Sequence, residues 1–398
     1  MVAADLTPKT RTRAHSPTVF SSWTVKQVRD ALTRHEYGDF AESAILADHI
    51  RRDDRIFATL DTRVLGVLGL PFVVDPSSDT TNTREAKRLA KDVASWWFSA
   101  FPEAVLADAM RWSFMMGFAI GELTYHPHKG MLRQKLTIHH PQFVRWSDVD
   151  QCFFLQSLDG EVRITPGDGR WVLFAPNGDG RPWMNGGIRA LAIPFLLRTF
   201  ARRDWARRSE VEGLGIRKAK IPSKGNPEIV DRFLRDVSNL GNETSIRLPE
   251  GYDVDIMVAD ASAADGFQKL VNHCDSAITL SVLGQNLTTQ IEGGSFAAAS
   301  VHARVQLDRL ESDVAMLSTT ARMQIIAPWG RVNIPDFDTD TTPWPRWDTT
   351  PPEDLQKSAQ ALLTLAQALP ALVAAGVNPD PILERFRLDK TKQPTATQ

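Results

Sequence analysis

The sequence predicts an α+β fold, and three features of it carry that prediction. Apolar residues recur at three- and four-residue steps through 44–70, 83–116, 188–212, 265–283 and 296–326, the spacing of amphipathic helices. Residues 119–174 instead break into short apolar runs split by Gly, Pro and Asp, as the strands of an antiparallel meander do. Finally, a small strand–helix–strand segment, 213–264, is inserted between two of the long helices.

The elements follow in order. Residues 1–22 are polar and carry Lys9, Arg11 and Arg13 with no apolar core behind them, which excludes a signal peptide or membrane anchor there and predicts a disordered arm. Ile45, Leu46, Ile50, Phe57, Leu60, Val64 and Leu68 predict one helix over 44–70, stopped by Pro71 and followed by a strand over 71–75. Helices over 83–100 and 103–116 come next. Strands are expected at 119–125, 134–139, 152–157, 161–165 and 170–174, then a Gly- and Pro-rich loop over 177–187 and a helix over 188–212.

In the inserted segment, 217–221 reads as a strand. Asn226-Pro227-Glu228 supplies an N-cap, a first-turn proline and a first-turn acid for a helix whose apolar face is Ile229, Val230, Phe233, Leu234, Val237 and Leu240. Strands over 245–248 and 253–258 complete it. Asp265 and Gln268 then form a capping-box-like start for a helix ending near Leu283. The polar stretch to Ser295 is a loop, and Pro328 is expected to end the helix that starts at Phe296. Residues 333–350, with their acids and prolines, read as an irregular connector. A last helical region begins at Thr350 and is broken at Pro370, with a short helix over 381–388 and a polar tail.

Composition bounds the function. The chain has 398 residues, 42% hydrophobic and 24% charged, with a formal charge of -2. It therefore has no global cationic field for nonspecific DNA binding, and any nucleic-acid role rests on a local surface. Cys152 and Cys274 are too few for a disulfide framework, and no Cys/His spacing points to zinc. No uncharged apolar run reaches the roughly 18 residues that cross a bilayer.

Chemical motifs are weak. There is no phosphate-cradling GxxxxGK[ST] pattern and no GxSxG elbow. Glu292-Gly293-Gly294-Ser295-Phe296 could turn amides toward an anion, but such a start is more often a flexible loop with Ser295 as N-cap. His126, His128, His139 and His140 lack further ligands at metal spacing, Asp53-Asp54 reads as the solvated face of a helix, and Asp336, Asp338 and Asp340 lack the Gly and distal Glu of a calcium loop. No catalytic residue, metal or cofactor is expected. The informative cluster is basic: Arg198, Arg202, Arg203, Arg207, Arg208, Arg217, Lys218, Lys220 and Lys224. Its helical arginines spread around the axis, so ion pairing between subunits explains them as well as phosphate contact does.

One segment is specific. Val282-Leu-Gly-Gln-Asn-Leu-Thr-Thr-Gln290, then Gly293-Gly294-Ser295 and Val301-His302, closely resembles the signature of Mu-like tailed-bacteriophage portal proteins, with Asn286 where that family usually has Thr. Met116-Gly117-Phe118 with Glu122, His140-Pro141-Gln142-Phe143 and Asn333 agree in order, over roughly 23–334. The basic helix departs from the family pattern, and the C-terminal region looks short.

The resemblance implies a portal fold. Its expected parts are a wing over 23–187 completed by 296–335, stem helices over 188–212 and 265–283, and a small α/β clip over 213–264. A tunnel loop over 284–295, a linker over 336–349, a short helical crown over 350–388 and a disordered tail over 389–398 complete it. It further implies a ring of about twelve subunits around a double-stranded DNA channel at the capsid portal vertex of a virion. The expected partners are the terminase motor, the major capsid protein and a head-completion adaptor, with synthesis in the host bacterial cytoplasm and no membrane. The residues expected to face DNA are Gln285, Asn286, Thr288, Thr289, Gln290, Gly293, Gly294 and Ser295, which offer hydrogen bonds without full charge. Another phage head part, such as an adaptor or minor head protein, is the alternative; a DNA-processing enzyme is a third, for which a metal or nucleotide site is missing.

Overall fold

The computed structural model describes residues 23–350, except 159, 179, 215, 222–225, 240–247, 249, 258–261 and 286–295, together with 363–365 and 367–368. The chain forms two compact units, Met1–Thr349 and Thr350–Gln398. In the second, the described residues are Thr350 and short helical pieces at 363–365 and 367–368. The expectations for the arm, the second clip strand at 245–248, most of the tunnel loop, nearly all of the crown and the tail lie outside the described residues.

The first unit opens with a helix that the sequence reading passed over. In α1 (Val25–Glu36), Thr24 and Gln27 form a reciprocal capping box, and Val28, Ala31 and His35 are buried. The single helix expected over 44–70 is two: α2 (Ala41–Arg51) and α3 (Asp54–Leu68). Asp53 breaks them. Its extended backbone and carboxylate, accepting from the amides of Arg55 and Ile56, start α3 afresh. β1 (Phe72–Asp75) follows, then α4 (Thr83–Ala100), capped by Asn82, and α5 (Glu103–Met116).

Gly117 ends α5 with φ +82°, and a Cβ there would lie 2.1 Å from the Pro182 carbonyl oxygen, so only glycine fits this close backbone crossing.

The expected meander is two antiparallel sheets. β2 (Ala119–His128) pairs with β3 (Met131–His139), and β7 (Trp171–Phe174) returns to the other edge of β2, Ala119 opposite Phe174. β4 (Val144–Ser147), not foreseen, pairs with β5 (Cys152–Ser157), which pairs with β6 (Gly160–Ile164). Buried Phe40, Phe118, Phe153 and Trp183 join this region to the helices, with ring centroids 4.7–6.2 Å apart.

After α6 (Ile188–Leu214) come β8 (Ile216–Lys220), α7 (Pro227–Asn239) and β9 (Asp253–Met257), with β8 and β9 antiparallel. α8 (Ser262–Leu283) returns along α6. α9 (Phe296–Thr320) then runs through a π-helical turn, Ala321–Ile326, into α10 (Ala327–Asn333). The helix therefore does not stop at Pro328, contrary to expectation. The π turn places Pro328 at the start of α10, where a missing N–H costs no bond.

The connector expected over 333–350, and the linker drawn over 336–349, is also corrected. β10 (Trp344–Trp347) pairs antiparallel with β1, Phe72 opposite Trp347. A two-stranded sheet tolerates Pro345 because a strand edge needs no donor there. Trp347 is 1% exposed and meets Phe72 at 5.1 Å between centroids, while Phe72 stacks on Trp97 at 5.3 Å. Asn333 holds the end of α10 to β3, accepting from the Leu132 amide at 2.6 Å and donating to the Leu132 carbonyl at 3.0 Å.

Candidate functional site

The site is built where α6 and α8 leave the rest of the unit together. They pack along each other and bracket β8, α7 and β9 between them in the chain. Local sequence shapes the insert: the Asn226 carboxamide accepts from the Glu228 amide at 3.1 Å, and α7 turns Phe233 and Val237 inward, Phe233 against the Tyr252 ring at 4.9 Å. α8 starts earlier than its expected capping box. Asp265 lies inside its first turn, paired with Lys269 at 3.0 Å.

Arg198 joins the two helices to α3. It follows Phe195 and Leu196 onto the buried side of α6, and its side chain is 6% exposed. Its guanidinium donates to Asp275 of α8 at 2.6 Å, to Asp53 at 2.6 Å and to Asp54 at 2.5 Å. Arg55 adds bonds to Thr279 Oγ1 at 3.1 and 2.7 Å.

The two neighbouring acids differ. Burial raises the pKa of Asp53, and this outweighs Arg198. Burial is also the largest single influence on Asp54 and pushes upward, but the hydrogen bond and charge of Arg198, with Arg202 and the Arg55 amide, together outweigh it and pull Asp54 down to about 2.

The basic cluster is thus partly neutralised within the chain. Arg202 reaches Asp54 at 3.1 Å, and Arg203 pairs with Asp204 at 3.0 Å. In register, Lys218 stands opposite Asp255 and Lys220 opposite Asp253. Arg208 has a partner as well, and Arg207 is exposed. The side chain of Arg217 and all of Lys224 lie outside the described residues. The reading of Asp53-Asp54 as a solvated helix face fails for Asp53, whose side chain is 8% exposed. One sequence signal pointed to it: an arginine at an apolar position of a helix requires a buried acid.

At the other end of α8, Gly284 turns the chain with φ +76°, and Gln285 is 1% exposed and has a partner. Gln285, grouped with the DNA-facing loop, belongs to the packed root of that loop. Asn286, Thr288, Thr289, Gln290, Gly293, Gly294 and Ser295 lie outside the described residues.

The histidines do not gather. His139 meets Glu122 and His140 meets Asp48, each at 2.9 Å, and among the described residues no group of three His, Cys, Asp or Glu could hold a metal. Among those residues no helix is long and apolar enough to cross a membrane.

Two packed helices carrying an α/β insert, rooted in a mixed helix-and-sheet body, define a portal fold. Comparison with known proteins agrees: residues 44–388 match the family model of the portal protein of Mu bacteriophage, and the chain belongs to that family. It is 25% identical over 378 residues to the portal protein of Escherichia phage Mu, covering 90% of this chain and 70% of that one. It is 26% identical over 380 residues to the Mu-like prophage FluMu protein gp29 of Haemophilus influenzae, covering 91% and 69%. Among solved structures, a chain from the neck of a native gene transfer agent particle computed with C12 symmetry aligns with TM-score 0.55 at 11% identity, over 93% of this chain and 96% of that one. The role is structural: the chain is a head–tail connector subunit, not an enzyme.

Proposed function

We propose that copies of this chain close into a ring, twelvefold like the symmetry of the neck structure it resembles, and that α6 and α8 flank a central channel for double-stranded DNA. The ring sits at the portal vertex of a virion and works with a terminase motor, the major capsid protein and a head-completion adaptor during packaging and ejection. The observation that carries the reading is the α6–α8 pair with its internally paired charges. A duplex bears a charge about every 1.7 Å of its axis, so a cationic wall would hold it, whereas paired charges let it slide. The polar residues of 286–295, bearing one carboxylate, supply uncharged hydrogen-bonding groups next to the moving phosphates.

The double substitution Thr288→Arg, Thr289→Arg tests this. Ring assembly stays intact, while DNA packaging, measured as protected genome per particle, falls on the order of tenfold because each subunit gains two phosphate-binding cations. Packaging at the parental level in intact rings would remove the loop from the channel. Loss of assembly would make it a packing element.

A further inference from the structure

Beside the root of the loop lies a cavity of ≈ 290 Å³, framed by α3, α5, α9 and the turn before α6. Three charged side chains line it: Arg63, Arg309 and Asp313. Arg63 is fully engaged. It grips Asp313 with two bonds, at 2.7 and 2.8 Å, donates to the Val282 carbonyl at 3.0 Å, and lies over the Phe114 ring at 4.7 Å.

Arg309 is different. Its side chain lies against Gly284, where a Cβ would come within 2.3 Å of its Nε. Among the described residues, neither its guanidinium nor the hydroxyl of Ser312, one turn further along α9 on the same side, makes a hydrogen bond. Burial, and then the charge of Arg63, lowers the Arg309 pKa, with only Asp313 acting the other way. Two cations against one carboxylate leave the cavity with one uncompensated positive charge. A guanidinium presents five donors in a planar fork matched to oxyanions.

We infer that this cavity is a binding site for one phosphate group, held by Arg309 and Ser312 with Arg63 as a fixed second charge. A donor-rich wall whose one carboxylate, Asp313, is already held by Arg63, next to a half-buried arginine, selects an oxyanion over a neutral ligand. The volume exceeds that of a single phosphate and leaves room for its hydration. The inference stands apart from the channel reading and needs no ring.

The test is thermal unfolding of the full chain in inorganic phosphate against chloride at matched ionic strength, with a short DNA duplex as a third arm. Wild-type protein gains about 2 °C in about 10 mM phosphate, the shift expected for millimolar binding to a chain of this size. Arg309→Met abolishes the gain, Arg309→Lys retains part of it, and Ser312→Ala, at an exposed position, reduces it. Should Arg309→Met fail to fold, Ser312→Ala decides alone. Protection by duplex DNA and not by free phosphate, again lost in Arg309→Met, would assign the bound group to a DNA backbone and support the site. Equal phosphate shifts in wild type and the folded variants, as a general salt effect gives, would overturn it.

Discussion

Replacing Arg198 with methionine is expected to destabilise the first unit by about 3–5 kcal/mol, the cost of leaving buried carboxylates without their counter-ion. The side chains involved are 6% exposed for Arg198, 8% for Asp53 and 22% for Asp275. Methionine preserves most of the packing volume, so the loss is electrostatic. Denaturant midpoints measure it. The variant's deficit should also depend on pH in a defined direction. Without Arg198 the Asp53 pKa, already raised by burial, rises further. A carboxyl whose folded pKa lies above its unfolded value destabilises when ionised and ceases to do so as pH falls, so the gap between variant and parent narrows on acidification. Asp53→Asn in the Arg198→Met background should recover part of the loss, since asparagine keeps the α3 cap while removing the stranded charge. A deficit that is small and constant with pH would show that the cluster is ornamental.

His35 gives the second large effect, with the opposite pH response. It is 3% exposed, and its Nε2 lies 2.9 Å from the Trp183 carbonyl, which can only accept, so Nε2 carries the proton and Nδ1 accepts from Ser43 at 2.9 Å. Burial is the main cause that lowers its pKa to about 4, against the bond to Trp183, with Arg189 helping. Folded His35 therefore stays neutral where unfolded His35, near 6.5, binds a proton. Stability is intact above about pH 6.5 and declines toward pH 4, by about 3 kcal/mol in total. Across that window the unfolding midpoint of the parent should fall more steeply than that of His35→Gln. Parallel slopes would contradict the assignment.

Local chemistry made part of this fold legible. The limits of α4 and α5 follow from Asn82, Pro102 and Gly117, and α7 from Asn226-Pro227-Glu228, because caps act over a few residues. What escaped depends on partners far along the chain. β10 looks like a linker until β1 pairs with it across about 270 residues of sequence, a distance no periodicity reports. Continuity through Pro328 depends on a π turn that has no sequence signature. At the site, the arginines were visible but their partners were not: Arg198 finds Asp53 and Asp275 at sequence separations of 145 and 77. The cluster therefore read as a surface feature throughout, whereas the structure turns Arg198 inward and pairs Arg202 and Arg203 with acids at the surface.

The central claim is that α6 and α8, held together at Arg198, are the wall of a channel made by many copies. Electron microscopy of the purified protein tests it most directly. The account predicts closed rings with an open axial pore, the α6–α8 pair nearest the axis and the stretch 286–295 projecting toward it. Single particles at high protein concentration, or rings in which that helix pair faces outward, would contradict it.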